Sequence, residues 1–496
     1  MTLVRSEIVE RFTRIWRDSP GRPLVHIPAT GTTVTADNLS DLASLQRAQL
    51  TALGIGHDDL VLAVTGNRAA SLSLWLACRQ LGIPIMPVDG GTPAAELRAV
   101  AEKFGGTIAI APAGSPLESL GRAVPFPRNL SAISIAAVSP KPALYKGAAA
   151  LKLTSGSTGL RKATFTTESQ LIEDSLHIIE AMGILPGDCQ LAVIPLSHAY
   201  GLGNLAIPVL LQGTAIVLRE AFVPQQVLSD GLTYNVRVFP GVPFMFAHLA
   251  ANVDAPLWPR NLATLISAGA PLQPATATAF AEKFRIKVHS FYGTSETGGI
   301  AFDDSPEVDG PPTVGRAMPG VTITLRPEEG APADGGRVHV AGSAVSSGYA
   351  GLESTAGDEF VDGGFLTGDF GRFDSRCRLT LTGRVSSFIN VAGKKVQPEE
   401  VEQVLRSMPG IDDVRVVGAE DAARGQQVVA CIVARGDIGA AEIRHFCSAR
   451  LATHKVPRSV VRLPCIPLTE RGKTDRAKLE ALVREQLTRS AGTGVL

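Results

Sequence analysis

The chain has 496 residues, of which 45% are apolar, so it can form two or more domains, because single cores usually stop growing at roughly 250–300 residues. Basic and acidic residues both number 47, and a net charge of zero gives no basis for binding nucleic acid or an anionic membrane. The six cysteines are scattered without metal-like spacing, and we find neither a secretory leader nor an apolar stretch of about 20 residues. These features predict a cytoplasmic protein with reduced thiols and no membrane span.

The first 300 residues alternate between short apolar runs and stretches with helical spacing. Residues 60–64 and 83–88 are candidate buried strands, and residues 69–81 between them have the apolar spacing of a helix. The alternation continues with apolar runs at 190–194, 215–218 and 236–239. Strand, helix and strand at this spacing predict a parallel α/β sheet.

The pattern changes after Val314. Short strands at 321–325 and 337–340, separated by Gly, Pro and acidic residues, predict a β-rich part, for which a small barrel is one possible form. From residue 398 a helix, two strands and a helix form a compact α+β pattern. The predicted fold class is therefore α/β, with a large multi-layer N-terminal domain (1–384) that includes a β-rich subdomain, and a smaller, mobile α+β domain (385–496).

Residues 153–162 form a loop that follows an apolar stretch and is rich in small and hydroxyl residues. Its two glycines allow positive φ, and successive backbone N–H groups in such a loop can form an anion-binding nest. A Ser/Thr/Gly-rich linker is the alternative, and no glycine precedes the lysine as in the common P-loop. The residues predicted to bind a polyphosphate are two glycines, four hydroxyl residues and one lysine: Gly156, Gly159, Thr154, Ser155, Ser157, Thr158 and Lys162.

This loop resembles the phosphate-binding loop of the adenylate-forming superfamily, which includes acyl-CoA synthetases, luciferases and peptide-synthetase adenylation domains. The family loop usually ends Gly-x-Pro-Lys, and Arg161 stands at the proline position. Further motifs follow in the family's order, so that the resemblance covers about residues 55–480. It implies that His198 lies beside the acyl site and that Glu296 and Thr154 hold Mg²⁺. It also implies two groups of residues around the nucleotide: Gly269, Ala270 and Pro271, and Tyr292, Gly293, Thr294 and Ser295.

Each of these motifs has an ordinary structural alternative. A lone histidine is usually a core or surface residue, residues 267–272 could be a simple turn, and residues 292–297 could be a polar turn that caps a helix. Only the ordered series of motifs favours the functional interpretation.

The resemblance also assigns roles near the C-terminus. Asp369 corresponds to a ribose-binding turn, and Arg384 to a contact with ribose or phosphate at the domain junction. Gly393 matches a glycine that lines a pantetheine tunnel, and Lys395 stands at a usually basic position. Lys473 matches the catalytic lysine, although a lone lysine in a polar loop is ordinarily a surface residue. Besides Arg161, two positions depart from the pattern: Ser386 at the hinge and Arg337 in place of the usual glutamate.

The function implied is ATP-dependent activation of a carboxylic acid as an acyl-adenylate, followed by acyl transfer to coenzyme A. No acidic residue lies between residues 191 and 218, where amino-acid-activating relatives place an aspartate, and this favours an aryl or aliphatic acid. Residues 242–246 and 268–270 suggest an apolar slot. A stand-alone acyl carrier protein as acceptor and a non-catalytic nucleotide-binding regulator are the alternatives. Whether the chain is a monomer or a homodimer stays open.

Overall fold

The chain forms two compact units in the computed structural model. It describes residues 5–154, 162–254, 258–306, 308, 313–328, 331–351, 359–385, 389–391, 394–421, 425–436, 438–451, 453–469 and 474–492. The large unit comprises Met1–Ile323 with Val340–Leu366, and the small unit comprises Thr324–His339 with Thr367–Leu496. The domain boundary predicted between residues 384 and 385 stays a prediction.

The first sheet of the large unit is mostly parallel. Its nine strands run in the order β16 (Arg316–Ala317), β15 (Gly298–Phe302), β14 (Val288–Thr294), β13 (Thr264–Ser267), β12 (Val238–Gly241), β10 (Cys189–Ala192), β11 (Ala215–Leu218), β1 (Pro23–Ile27) and β2 (Thr32–Thr35). The strands from β14 to β1 pair in parallel, and the outer strands β2, β15 and β16 are antiparallel.

The second sheet has seven strands: β6 (Gly121–Phe126), β7 (Leu130–Ile135), β5 (Ile108–Pro112), β3 (Val61–Ala63), β4 (Ile85–Pro87), β8 (Ala150–Leu153) and β9 (Ala163–Thr166). Strands β5, β3, β4 and β8 are parallel, and β9 returns antiparallel to β8. The predicted parallel α/β alternation is therefore present in both sheets.

Within the described residues, ten α-helices accompany these sheets: α1 (Glu7–Asp18), α2 (Ala36–Ala52), α3 (Ala69–Leu81), α4 (Ala94–Phe104), α5 (Glu168–Ala181), α6 (Ala199–Gly201), α7 (Ile207–Gln212), α8 (Pro224–Thr233), α9 (Pro243–Asn252) and α10 (Pro274–Phe284). Helix α3 is buried on all sides except at Gln80, as expected for a helix without a polar face. Leu74 of α3 shares one core cluster with Val61 of the second sheet and Leu191 of the first.

A four-stranded sheet follows in the chain, and the division between the units passes through three of its strands. Its order is β17 (Val321–Arg326), β18 (Gly336–Gly342), β19 (Gly364–Phe373) and β20 (Leu379–Arg384). Over the described residues, the β structure expected after Val314 is thus a sheet rather than the small barrel that we considered.

The rest of the small unit has one sheet covered on both faces. Its strands are β22 (Lys394–Val396), β21 (Ile389–Val391), β24 (Gly425–Ala434), β23 (Ile411–Asp421) and β25 (Ser459–Arg462), and its helices are α11 (Pro398–Arg406), α12 (Ala440–Ser448) and α13 (Arg476–Gly492). Along β24, Ala430 packs with α11 and α12, whereas Val429 and Cys431 pack with Leu479 of α13. This alternation follows from the period of two along a strand. None of the helices in the described part of the chain combines the length and apolar character that a membrane crossing needs.

Candidate active site

Three of the predicted motifs lie at the carboxyl edge of the first sheet. Strand β10 leads to residues 195–201, β13 ends at Ser267 before the turn 268–272, and β14 runs into residues 292–297. These strands belong to one parallel array, and ligands of such sheets bind at the carboxyl ends of the strands. The fold therefore brings His198, Gly269 and Glu296, which are far apart in sequence, to one edge.

His198 precedes α6, which continues through a π-helical turn (Leu202–Ala206) into α7. The chain is tightly folded here, since a Cβ on Gly201 would lie 2.1 Å from the carbonyl oxygen of Pro195. The His198 Nε2 atom lies 3.4 Å from Oδ2 of Asp89, which follows β4. This distance is that of an ion pair, but the angles are not those of a hydrogen bond, and Nε2 has no hydrogen-bond partner among the described residues. We regard the contact as electrostatic, and the ring nitrogen is itself buried.

Asp89 is a residue that the sequence analysis missed. The argument against an amino acid considered only residues 191–218, but the second sheet supplies a carboxylate to the same place. Nothing in the local sequence pattern could have shown this, because the contact joins two different sheets.

The turn after β13 has an open backbone. Gly269 has φ +81°, a left-handed conformation that glycine adopts without strain. Ala270 is half-buried and Pro271 is exposed. Ser267, at the end of the strand, is buried, and its hydroxyl has no hydrogen-bond partner within the described residues. The turn thus exposes backbone at Gly269, and the buried Ser267 hydroxyl behind it is unpartnered among the described residues.

Residues 295–297 form the tip of a β-hairpin rather than the helix cap considered as an alternative. Thr294 pairs with Gly298 across the antiparallel strands β14 and β15. Gly298 has φ +71°, and a Cβ there would lie 2.2 Å from Oδ1 of Asp174. Tyr292 is buried within β14, whereas Gly293 is exposed, and Thr294 and Ser295 are half-buried. The hairpin therefore presents Ser295 and Glu296 at the sheet edge.

Glu296 is held at its backbone and at its carboxylate. Its carbonyl oxygen accepts a hydrogen bond from the Ser346 N–H at 2.7 Å, and its Oε1 accepts one from the Tyr349 hydroxyl at 3.0 Å. Burial and the charges of Glu296 and Glu359 raise the pKa of Tyr349 well above its usual value, so the phenol stays a donor. Within the described residues no hydrogen bond is made to Glu296 Oε2.

Thr154 and Lys162 stand at the two ends of the predicted phosphate loop. The Thr154 N–H donates to the Lys162 carbonyl oxygen at 2.9 Å and closes the β8–β9 hairpin. The Lys162 ammonium lies 3.5 Å from Oε2 of Glu359 and 4.5 Å from the centre of the Tyr349 ring. The loop residues between these ends lie outside the described residues: Ser155, Gly156, Ser157, Thr158, Gly159, Leu160 and Arg161.

Tyr349 therefore contacts both Glu296 and Lys162, and the sequence analysis missed it. The chain has only five tyrosines, which was the one available signal. Tyr349 lies 53 residues from Glu296, so no local pattern connects the two.

Asp369 and Arg384 meet in the small unit. They face each other across β19 and β20, with Arg384 Nε 2.5 Å from Asp369 Oδ1. Asp369 is 4% exposed, whereas the Arg384 side chain is 60% exposed. The expectation of a turn at residues 367–369 is wrong in its local structure, because they lie inside β19.

The structure also gives a reason for arginine at position 337. Its Nε donates to the Thr367 carbonyl oxygen at 2.6 Å, and its Nη1 lies 3.2 Å from Glu328 Oε2. Thr367 in turn accepts, at its hydroxyl, the N–H of Asp369 at 3.1 Å. Arg337 thus supports the strand that carries Asp369.

The remaining predicted residues are only partly described. Gly393, Ser386 and Lys473 lie outside the described residues, and of Lys395 only the backbone, in β22, is described. The ends of the loop that carries Lys473 meet, since Leu468 forms an antiparallel bridge with Thr474. The prediction that Asp369, Gly269 and Tyr292 surround one nucleotide concerns both units and stays a prediction.

Comparison with known proteins identifies the family. The profile described as AMP-binding enzyme matches residues 12–350, and that of the AMP-binding enzyme C-terminal domain matches residues 400–473. A 2-succinylbenzoate–CoA ligase from Bacillus licheniformis is 31% identical over 336 residues, which are 67% of this chain and 70% of the relative. A feruloyl-CoA synthase from Amycolatopsis is 28% identical over 459 residues, or 89% and 92% of the two chains.

A solved structure, ATP-bound MatB from Rhodopseudomonas palustris, shares the fold. Its TM-score is 0.83 at 24% identity, over 96% of this chain and 99% of that one. The predicted superfamily, the α/β fold class and the enzyme class, an acid–thiol ligase of the AMP-forming type, are confirmed. This chain belongs to the family of AMP-binding enzymes.

Proposed function

We propose that this chain activates a carboxylic acid with ATP as an acyl-adenylate, releases pyrophosphate, and transfers the acyl group to the thiol of coenzyme A. The observation that carries the proposal is the grouping of Glu296, Tyr349 and Lys162 at the sheet edge. A carboxylate with one oxygen unshared among the described residues, linked through Tyr349 to a lysine, suits a metal-bound polyphosphate. The names of the two relatives, a CoA ligase and an acyl-CoA synthase, support the thiol acceptor.

The first half-reaction makes a good leaving group. An oxygen of the substrate carboxylate bonds to the α-phosphorus of ATP while the bond from that phosphorus to the bridging oxygen of pyrophosphate breaks. The product is a mixed anhydride. Negative charge is concentrated around the phosphoryl oxygens in this step, so positioned cations supply most of the catalysis. We assign these cations to Lys162 and Lys473.

The residues fit a Mg²⁺ ion that arrives with the nucleotide. Glu296 would hold it through Oε2, and the Thr154 hydroxyl is the second proposed ligand. Bound there, the ion neutralises charge on the phosphate oxygens. Among the described residues no group of three or more His, Cys, Asp and Glu side chains could hold a metal. One carboxylate is nevertheless sufficient, because Mg²⁺ is usually held by one or two carboxylates together with substrate phosphates.

In the second half-reaction the thiolate attacks the carbonyl carbon of the adenylate, the C–O bond to phosphate breaks, and AMP leaves. We propose that the C-terminal domain, from about residue 385, rotates between the steps. The rotation would remove Lys473 and bring Gly393 to a tunnel for the pantetheine arm. Gly393→Leu should then slow thioester formation and spare adenylate formation.

The acid is proposed to be aryl or aliphatic rather than an amino acid. The relatives are named for 2-succinylbenzoate and feruloyl groups, neither of which is an amino acid. Val242 and Phe244 are half-buried at the sheet edge, whereas Met245 and Phe246 belong to the core, so the proposed apolar slot is shorter than residues 242–246. Asp89, beside His198, allows a polar substituent on the acid.

An exchange assay tests the proposal. The full chain is incubated with ATP, labelled pyrophosphate and a panel of aryl, aliphatic and amino acids, and the label in ATP is measured. Exchange that depends on an aryl or aliphatic acid, followed by thioester formation with coenzyme A, is expected. Exchange only with amino acids would overturn the substrate class. Transfer only to a phosphopantetheinyl carrier protein would overturn the acceptor, and absence of exchange with every acid would favour a non-catalytic nucleotide-binding protein.

A further inference from the structure

Tyr349 is fixed in place from two sides. Its backbone forms a bridge with Thr164 of β9, and the neighbouring Ala350 N–H donates to Ala163 at 2.8 Å. The ring of Phe360 packs against its ring edge-on, with the ring centres 5.3 Å apart. The tyrosine hydroxyl is therefore presented from a strand-like segment and not from a freely moving side chain.

Two hydrogen bonds connect this segment to Glu296. The Ser346 N–H reaches the Glu296 carbonyl oxygen at 2.7 Å, and the Tyr349 hydroxyl reaches Oε1 at 3.0 Å. A glutamate side chain held only at its backbone could turn about three torsions, whereas a donor on one carboxylate oxygen restricts it to orientations in which the other oxygen faces away. The second oxygen is the one left for a ligand.

The same ring lies next to the cation of the phosphate loop. The Lys162 ammonium is 4.5 Å from the ring centre, so the tyrosine stands between the proposed metal carboxylate and a proposed phosphate-binding cation. Replacement by phenylalanine would keep the ring beneath Lys162 and remove the hydroxyl, which bonds Glu296 and also interacts with Glu359.

We propose that Tyr349 is a positioning residue, whose hydroxyl fixes the Glu296 carboxylate for the divalent metal of the metal–nucleotide substrate. The inference rests on the proposed function, in which Glu296 holds that metal. It adds a residue that acts through Glu296 and does not itself touch the substrate. Loss of such an outer hydrogen bond typically costs about 10–100-fold in metal affinity.

The test measures metal binding without turnover. Full-length protein is held in excess over α,β-methylene-ATP, Mn²⁺ is titrated in, and free Mn²⁺ is read from its electron paramagnetic resonance signal. In Tyr349→Phe we expect Mn²⁺ affinity of the protein–nucleotide complex to fall about tenfold or more, and nucleotide affinity in the presence of a chelator to stay within about twofold. Tyr234→Phe is the matched control, because that tyrosine packs against His26 at 4.7 Å and loses the same hydroxyl; it should behave as the wild type.

Glu296→Gln separates failure of the inference from failure of the proposed function. Unchanged Mn²⁺ affinity in Glu296→Gln would overturn the metal assignment itself. A loss in Glu296→Gln with wild-type affinity in Tyr349→Phe would overturn only the role of Tyr349. In the double variant we expect no loss beyond that of Glu296→Gln, because residues that act through one group are not additive. Additive losses, or tighter Mn²⁺ binding in Tyr349→Phe, would overturn the inference.

Discussion

Asp369→Asn should weaken nucleotide binding, and the whole loss should come from the contact with the ribose. The carboxylate is nearly buried, with 4% of the residue exposed, and lies in the middle of β19. One of its oxygens receives Arg384 Nε at 2.5 Å, while Nη2 is 3.5 Å from the other. The second oxygen is thus the better acceptor for a ribose hydroxyl.

The magnitude follows from this geometry. Since the contact of Arg384 to Oδ2 is the longer of its two contacts with the carboxylate, we count one charge-assisted hydrogen bond from ribose to that oxygen, worth about 1.5–3 kcal/mol, or about 10–150-fold in affinity. The cost in folding stability should be small. The substitution removes the buried partner of the ion pair and leaves Arg384, whose side chain is 60% exposed, in contact with water, so we expect about 0–1 kcal/mol.

The assay compares AMP with 2′,3′-dideoxy-AMP by calorimetry. The wild type should prefer AMP by the factor above, and Asp369→Asn should bind the two nucleotides equally, with its affinity for the dideoxy nucleotide unchanged. Asp374→Asn is the matched control, because that aspartate also pairs with an arginine, Arg378, at 2.7 Å but lies in the β19–β20 turn. An equal loss for both nucleotides, in protein with an unchanged melting temperature, would refute the ribose assignment.

Three further outcomes are expected. Lys473→Ala should slow pyrophosphate exchange by a factor of about 10²–10³, because the cation offsets the repulsion between carboxylate and polyphosphate. The variant should still convert supplied acyl-adenylate to thioester near the wild-type rate, and equal damage to both steps would contradict a role of Lys473 in the first step alone. Asp89→Asn should change about tenfold the ratio of kcat/KM for acids that carry a second, charged group to kcat/KM for acids without one, because Asp89 lies 3.4 Å from His198. A constant ratio across the panel would count against that contact. Ellman's reagent at pH 8 should label only the exposed Cys377 and Cys465 in native protein, and a third rapidly reacting thiol would disprove this. The other thiols are buried, and burial raises their pKa to about 12 for Cys78, Cys189 and Cys431 and to about 11 for Cys447.

The sequence predicted elements best where packing and local pattern agree. Helix α3 was predicted at its observed bounds of 69–81, because its flanking strands and the glycine that follows it mark its ends. The strand at 215–218 was likewise predicted at its bounds. The pattern was less informative in the small unit, where β23 spans residues 411–421 but its valines lie only at positions 414, 416 and 417. Pairing with β24 continues through Asp413 and from Gly418 to Asp421, where most side chains are not apolar.

Long-range contacts could not be predicted in the same way. The family resemblance implied that His198 and Glu296 serve one active site, and in the structure the parallel strands that precede them deliver both to one sheet edge. Asp89 and Tyr349, in contrast, reach the site from other elements of the large unit, and neither belongs to a local pattern that carries chemistry. Their positions depend on sheet order and register, which the apolar spacing of a single sequence does not determine.

The arginine at position 337 shows how a departure from the family pattern can be accommodated. In the small unit, the segment that carries Asp369 lies between β18 and β20. Arg337 of β18 holds the Thr367 carbonyl oxygen, and Arg384 of β20 holds the Asp369 carboxylate. The Thr367 hydroxyl, in turn, accepts the backbone N–H of Asp369. Because both neighbouring strands fix this segment, the carboxylate is already oriented, and little ordering would remain for the proposed ribose contact to impose. Arginine is therefore compatible with nucleotide binding at this position.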